Sequence, residues 1–221
     1  MSETYPQRAW ALPDHATEVL LVRHGASQAA VEGESFEMLE GHGNPPLAPE
    51  GEAQAQAVAA RLAADPPDAL FITNLQRTAQ TAAPLVEATG LEPVVVPELA
   101  EVILGEWEGG EMRVRAAKGD PLFGRVFEEQ RWDVIPGAEP MEAFAERVRV
   151  GFLKVVEQTG AGRVAAAVVH GGVIGELCRQ ATSAPALTFV HSENTSISRI
   201  VVFGDGRWLL RSFNDTAHLG G

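Results

Sequence analysis

The chain has 221 residues, of which 45% are apolar and 21% are charged, and its formal net charge at pH 7 is −13. These values suit one globular α/β domain over residues 1–221, and the acidic charge argues against a nucleic-acid partner. No apolar run approaches the roughly 20 residues of a membrane span, and the single cysteine excludes an intrachain disulfide and a cysteine-based zinc site. Because the start also lacks a basic segment followed by an apolar one, we expect a cytoplasmic protein without a membrane partner.

Short apolar runs alternate with amphipathic segments along the chain. After an irregular N-terminal arm, residues 1–17, the pattern predicts strands over 18–23, 68–73, 92–97 and 163–172. Helical spacing and end signals predict helices over 47–64, 75–90, 139–160 and 172–182. Residues 31–46 are interpreted as a loop, residues 104–140 as an insertion of loops and short helix, and residues 196–213 as two strands around the turn GDG.

This alternation predicts the fold class and the domain organisation. We expect a three-layer α/β sandwich with a mostly parallel central sheet and helices on both faces. The last two strands form a hairpin that adds an antiparallel strand at one edge. No internal repeat or linker divides the chain, and an exposed edge strand would allow two copies to pair as a homodimer.

Two predicted strands end in the same way, with a histidine and then a glycine. His24 lies in LLVRHGAS and His170 in AAVVHGGV. The carboxyl ends of parallel strands are where open α/β sheets bind ligands, so we expect the two imidazoles to meet there. The helix that begins at Gly171 would add free backbone N–H groups and the positive end of its dipole, which favour an anion.

Further candidates indicate which anion this is. Arg23 and Arg77 can each make two hydrogen bonds to a phosphate, and Ser27 can add a hydroxyl donor. Two guanidinium groups would repel a divalent cation. The cluster therefore favours a phosphoryl group over a metal ion.

The segment LVRHGAS resembles the signature of the histidine phosphatase superfamily, also called the phosphoglycerate mutase-like family. Five more segments of the chain resemble the family's in the same order: LAPEGEAQA (47–55) with Gln54, TNLQRTAQTA (73–82), LAEVILGEWEG (99–109), VVHGGVI (168–174) and ENTSISRI (193–200) with Asn194. The resemblance spans about residues 18–203 and implies a phosphoglycerate mutase-like fold.

The resemblance also implies a role for each site residue. His24 would be the nucleophile that attacks phosphorus as a neutral imidazole. Arg23, Arg77 and His170 would hold the three equatorial oxygens in the transition state. Glu101 would donate a proton to the leaving alcohol and then activate water. The mechanism implied by the resemblance requires neither metal nor cofactor.

The chain departs from the family pattern beside the nucleophile. Ala26 replaces the frequent Glu or Gln, Ser27 replaces the commoner Thr, and Ala30 stands where an Asn is usual. If that Asn contacts phosphate, this chain has lost one contact. Substrate affinity is affected by this change more than the chemistry is.

Three functions remain open at this point. A segment at 135–148, IPGAEPMEAFAERV, resembles the phosphatase branch, which favours a metal-independent phosphomonoesterase acting on a small phosphorylated metabolite. The alternatives are a cofactor-dependent phosphoglycerate mutase and a non-catalytic, regulatory domain that binds a phosphorylated ligand. Retention of the nucleophile disfavours the last. Residues 31–46 and 104–140 are expected to cover the site and set its specificity.

Other polar residues are weaker candidates. His15 and His218 are expected to be solvated, Cys178 to pack in a helix core and Trp107 to pack the insertion. Substrate contact is a minor expectation for His42, His191 and four arginines of the insertion: Arg113, Arg115, Arg125 and Arg131.

Overall fold

The computed structural model describes residues 3–220 of the chain. Its strands and longer helices are, in chain order, β1 (Ala16–Arg23), β2 (Met38–Leu39), β3 (His42–Gly43), α1 (Pro49–Ala63), β4 (Ala69–Ile72), α2 (Gln76–Thr89), β5 (Pro93–Val95), α3 (Glu111–Ala117), α4 (Pro121–Glu129), α5 (Met141–Thr159), β6 (Val164–Val169), α6 (Gly171–Thr182), β7 (Ile197–Phe203) and β8 (Trp208–Asp215). Among these residues, no helix combines the length and the hydropathy that crossing a bilayer requires.

The six-stranded central sheet has the order β5-β4-β6-β1-β7-β8. The first four of these strands pair in parallel, with Arg23 opposite Val169 at the carboxyl ends of β1 and β6. Strand β7 runs antiparallel to β1, and β8 completes the hairpin at the edge. The predicted fold class, a mostly parallel sheet with an antiparallel edge, is confirmed.

Helices cover both faces of the sheet because the central strands are apolar on both sides. Leu21 of β1 belongs to the core cluster beneath α5 and α6, together with Phe152 and Leu177. The adjacent Leu20 faces the opposite cluster, with Val58 and other residues of α1 and α2. Alternate side chains of β1 therefore pack into two different core clusters, and the carboxyl end of the strand is held between them.

Several predicted boundaries are wrong. Strand β1 begins at Ala16, so the arm is shorter than predicted, and the arm's residues 1–2 lie outside the described part. Strand β6 ends at Val169 instead of residue 172, because α6 already begins at Gly171. Both differences move an element by two or three residues and leave the order of elements unchanged.

The two segments predicted as loops contain more regular structure than expected. Residues 31–46 include the β2–β3 hairpin, whose turn residues Glu40 and Gly41 both have positive φ (49° and 87°), as a tight two-residue hairpin turn requires. The insertion at 104–140 carries α3 and α4. Asp120 caps α4 by accepting a hydrogen bond from the backbone N–H of Leu122 at 2.9 Å.

Candidate active site

His24 follows directly after β1, and three contacts hold its backbone at the carboxyl edge of the sheet. Its N–H donates to the carbonyl of Val169 at 2.9 Å, which continues the pairing of β1 with β6. Asn194 donates its side-chain Nδ2 to the carbonyl of His24 at 2.8 Å. The next N–H, of Gly25, donates to Thr81 Oγ1 at 3.0 Å. The predicted segments with His24, Asn194 and Thr81 therefore meet at one point.

Glycine is required beside His24 because two backbones touch there. A Cβ on Gly25 would lie 2.5 Å from the carbonyl oxygen of Gly51. A Cβ on Gly51 would lie 2.0 Å from the carbonyl oxygen of Ala26. Gln54 Oε1 completes this junction by accepting from the N–H of Ala26 at 2.9 Å. Helix α1 thus packs directly on the turn that follows the histidine.

The imidazole of His24 is fixed in one tautomer. Its Nδ1 lies 2.8 Å from the carbonyl oxygen of Gly25, which only accepts, so Nδ1 carries the proton and Nε2 keeps a lone pair. Burial lowers the pKa of His24 well below its ordinary value, and the charges of Arg77 and Arg23 lower it further. The ring is therefore neutral at physiological pH, which is the state a nucleophile needs.

His170 lies next to His24, with 5.2 Å between the ring centroids and 60° between the ring planes. Its side chain is fully buried, and Nε2 contacts Thr73 Oγ1 at 3.0 Å. Nδ1 has no hydrogen-bond partner within residues 3–220. Burial and the charge of Arg77 hold the pKa of His170 well below its ordinary value. A buried nitrogen left unpaired beside His24 is suited to a ligand atom.

Two guanidinium groups face the same point. Arg23 donates from Nη1 to the carbonyl of Ser192, and Arg77 donates from Nη1 to that of Gly43 at 3.0 Å. In the described part of the chain neither makes an ion pair with a carboxylate. Burial lowers the pKa of Arg77 to about 10, and its place in the first turn of α2 adds the unfavourable positive end of that helix dipole. A bound anion would offset both costs.

Glu101 sits at the N-terminus of α6. Its Oε2 accepts from the N–H of Gly172 at 3.0 Å, and its Oε1 accepts from the N–H of Val102 at 3.0 Å. His42 Nε2 donates to the Glu101 carbonyl at 2.8 Å, and Arg147 Nη2 donates to the same oxygen at 3.1 Å. The carboxylate is thus held at the cavity by backbone groups, and His42 acts on its main chain.

Arg113 was only a minor candidate in the sequence, one of four insertion arginines, and the structure places it at the site. Its Nη2 donates to Ser27 Oγ at 2.7 Å and its Nη1 to the carbonyl of Gln28 at 2.8 Å. Ala30 lies against the start of α3, where a Cβ on Gly110 would come within 3.0 Å of the Ala30 Cβ. The residue that replaces the usual Asn therefore packs on the helix that carries Arg113.

A cavity of about 290 Å³ contains these groups. Its polar end is lined by Arg23, His24, Arg77, Glu101 and Gly171. Two predicted site residues lie just outside the lining, His170 against His24 and Ser27 against Arg113. The remaining wall is largely apolar and is formed by Phe36, Met112, Phe123, Phe127, Trp132 and Val190. His191 stands at this wall, with its ring stacked on Phe127 at 6.1 Å and 20°. The insertion 104–140 therefore lines the site.

The weaker candidates have structural roles. Cys178 is buried in α6, and burial raises the pKa of its thiol to about 12, which confirms the packing role. Trp107 is buried, as predicted for a residue that packs the insertion. His218 is half-buried and accepts from Arg61 at 3.1 Å, so the expectation that it is solvated is wrong, whereas His15 is exposed. Each of the other insertion arginines pairs with at least one acid: Arg115 with Glu111, Arg125 with Glu129 and Arg131 with Asp133.

The family model of the histidine phosphatase superfamily (branch 1) matches residues 19–216. The chain belongs to the histidine phosphatase superfamily. The match covers both histidine strands, Arg77, Glu101 and the whole insertion. The family resemblance read from the sequence is therefore confirmed.

Curated relatives in this superfamily carry different names. A protein named "Probable phosphoglycerate mutase GpmB", from Yersinia enterocolitica, is 29% identical over 209 residues, which cover 91% of this chain and 94% of that protein. The adenosylcobalamin/alpha-ribazole phosphatase of Salmonella typhimurium is 27% identical over 171 residues, covering 77% and 82%. A bifunctional protein of Mycobacterium tuberculosis is 31% identical over 206 residues, and this chain spans only 55% of its length.

Solved structures of the superfamily share the fold. A mycobacterial glucosyl-3-phosphoglycerate phosphatase in complex with inorganic phosphate matches with a TM-score of 0.71 at 26% identity, covering 91% of this chain and 98% of that one. A phosphoglycerate mutase of Bacillus anthracis matches with a TM-score of 0.75 at 22% identity, covering 93% and 96%. The family match and the curated relatives support a phosphatase- or mutase-type enzyme and leave the exact reaction open.

Proposed function

We propose that the protein is a phosphomonoesterase that works through a phosphohistidine intermediate at His24 and needs no metal. One observation carries the proposal. A neutral imidazole with a free Nε2 lies beside the guanidinium groups of half-buried Arg23 and buried Arg77, which make no carboxylate ion pair within residues 3–220. A phosphoryl group offers phosphorus to the nitrogen and oxygens to the cations.

The reaction balances over two steps. In the first, the His24 Nε2 lone pair forms the P–N bond, the bond from phosphorus to the ester oxygen breaks, and the leaving oxygen takes the proton of the Glu101 carboxyl. In the second, the Glu101 carboxylate takes a proton from water, the water oxygen attacks phosphorus, and the P–N bond breaks to release inorganic phosphate. Arg23, Arg77 and His170 hold the equatorial oxygens throughout.

Ser27 and Arg113 complete the proposed phosphate site. Arg113 holds the Ser27 hydroxyl at 2.7 Å and lines the cavity. We assign a phosphate contact to Arg113, because Ala30 provides no polar group where the family pattern usually has an Asn. A third cation also strengthens the attraction of a dianion into a chain whose overall charge is strongly negative.

A mutase is the second candidate because the similar Yersinia protein carries that name. A phosphoglycerate mutase must bind a carboxylate as well as the phosphate and return the phosphoryl group before water attacks. With Arg23 and Arg77 on the phosphoryl group, Arg113 is the arginine left among the lining residues of the described chain, and it is bound to Ser27. This favours the phosphatase.

The deciding experiment measures inorganic phosphate release from a panel of phosphomonoesters by wild type and His24→Ala. The same samples are assayed for isomerisation of 3-phosphoglycerate with 2,3-bisphosphoglycerate added. His15→Ala, an exposed histidine outside the site, is the matched control and should keep full activity. Release that falls to background only in His24→Ala supports the phosphatase. Isomerisation without release would assign the mutase, and phosphate binding without either would assign the regulatory domain.

A further inference from the structure

We infer that the substrate of this site is a monoester whose alcohol carries an apolar ring system and no second anionic group. The inference rests on the proposed phosphatase function and concerns the part of the cavity that the phosphoryl group leaves empty. It would separate this chain from an enzyme for phosphoglycerates or other small acidic metabolites.

The apolar wall is built by ordered aromatic side chains. Phe123 and Phe127 lie on successive turns of α4 and pack edge to face, with centroids 5.2 Å apart. Both rings, with Met112 and Val190, are half-buried against the main core cluster on one side and line the cavity on the other. Aromatic rings held in this way favour contact with the face or edge of another ring over contact with water.

The wall has a fixed position because α4 is anchored at several points. Asp120 caps the helix, Val126 on its inner face is fully buried, and Trp132 beyond its end is buried as well. His191 extends the wall from the other side by stacking on Phe127. The apolar surface is thus present before a substrate binds, which reduces the entropy lost on binding.

The charges around the cavity disfavour a second anionic group on the substrate. Glu108 lines the cavity, and its two carboxylate oxygens accept from the backbone N–H groups of Leu104 at 2.8 Å and Gly43 at 2.9 Å. Arg113 also lines the cavity, but its guanidinium donates to Ser27 and to the carbonyl of Gln28, and neither helix α4 nor Val190 contributes a cation. A carboxylate or second phosphate at this wall would lose its hydration without gaining a partner.

The size of the cavity limits the alcohol. About 290 Å³ is close to the lower end of small-molecule sites, roughly 300 Å³. This volume suits a phosphoryl group with one ring system or two fused rings. A long lipid chain or a folded protein segment would extend well beyond it.

The test compares 2-phenylethyl phosphate with ethyl phosphate, because the two leaving alkoxides are similar in basicity and differ by the ring. For wild type, kcat/KM is expected to be about tenfold to hundredfold higher for the ring ester, as burial of one ring predicts. In Phe127→Ala and Phe123→Ala this preference should fall about tenfold, because kcat/KM for the ring ester loses more than kcat/KM for ethyl phosphate does. Adding 3-phosphoglycerate to the panel tests whether a second anionic group on the alcohol lowers kcat/KM, as the inference predicts.

Phe213→Ala is the matched control. Phe213 also packs edge to face on a phenylalanine, Phe189 at 5.1 Å, and is half-buried against the same core, but it does not line the cavity. Its loss should lower stability without changing the substrate preference. Should an alanine variant unfold, Phe127→Leu and Phe123→Leu keep the packing, remove the ring and should still lower the preference.

Two outcomes separate the inference from the proposed function. Equal kcat/KM for the two esters in wild type, or a preference unchanged in the Phe127 and Phe123 variants, would overturn the ring subsite while leaving the phosphatase intact. If neither ester is hydrolysed, calorimetric binding of both to wild type still tests the subsite. Tighter binding of 2-phenylethyl phosphate would then support the inference, and equal binding would overturn it.

Discussion

Adding one methyl group at Gly172 should displace the carboxylate of Glu101, the proposed proton donor, without touching His24. A Cβ at this position would lie 2.4 Å from Glu101 Oε1, 3.2 Å from Cδ and 3.6 Å from Oε2. Ordinary van der Waals contact begins at 3.4 Å, so the carboxylate of Gly172→Ala must move by about 1 Å or rotate away. The hydrogen bond from the Gly172 N–H, 3.0 Å in length, would then be strained or lost.

The size of the effect follows from the role of Glu101. A misplacement of about 1 Å can cost roughly 10²-fold in rate, and general acid–base catalysis is worth about 10²–10⁴-fold. We therefore expect kcat/KM for ethyl phosphate, which reports the steps up to formation of the phosphohistidine, to fall by about 10²-fold in Gly172→Ala. The loss for 4-nitrophenyl phosphate should be much smaller, because a weakly basic phenolate leaves without a proton donor.

The assay is steady-state kinetics with both esters, with thermal melting to confirm folding. Gly124→Ala in α4 is the matched control, since a Cβ there meets no atom within 4 Å. Combining Gly172→Ala with Glu101→Gln should add little to the loss from Glu101→Gln alone, because both changes remove one function. Equal losses of kcat/KM for the two esters, or fully additive losses, would refute the positioning role of Gly172.

Three further outcomes are expected. The pKa of His24 is lowered in the folded state, so the unfolded state takes up the proton first as pH falls below about 6.5. The unfolding free energy, measured in urea, should therefore fall between pH 7.5 and pH 5.5 by about 1.4 kcal/mol less in His24→Gln than in wild type. Equal decreases in the two proteins would contradict the buried neutral state. Thr73→Val removes the hydroxyl that contacts His170 Nε2 at 3.0 Å and Thr78 Oγ1 at 3.2 Å and accepts from the Leu75 N–H at 3.3 Å. It should cost about 1–3 kcal/mol of unfolding free energy, restored by Thr73→Ser, and an unchanged Thr73→Val variant would count against this buried network. EDTA should leave phosphate release unchanged, and vanadate at about 100 times its Kd should raise the unfolding free energy by about 2.7 kcal/mol. Activity that is lost in EDTA and restored by zinc or magnesium would argue against a phosphohistidine route, as would an unfolding free energy that vanadate does not change.

The parts of the site that lie on strands and at helix starts were predictable from the sequence. The runs before His24 and His170 are apolar enough to identify buried strands, and the polar residue after each run marks the carboxyl edge of a parallel sheet. The spacing of Arg77 from the preceding strand likewise places it in the first turn of α2. These signals are local, so each is readable without knowledge of the tertiary structure.

The wall of the cavity was not predictable from the sequence, because its contacts join residues that are far apart along the chain. Phe127 and His191 are more than sixty residues apart in the sequence, and only the folded chain brings their rings together. Arg113 was not distinguished from the other insertion arginines, although one local signal separates it from two of them. Arg115 and Arg125 each have an acid four residues away that pairs with them, whereas Arg113 has glycine or alanine at every position three and four residues away. An arginine without a helical partner is the better candidate for binding a ligand.

The central claim, that His24 carries the phosphoryl group during turnover, is tested most directly by trapping the intermediate. Wild type is mixed with a ³²P-labelled phosphomonoester, quenched in alkali within the first turnovers, and digested to locate the label. We expect label on the peptide that contains His24, stable to base, labile to acid and absent in His24→Ala. Turnover with no covalent label, or label on another residue that persists in His24→Ala, would contradict the mechanism.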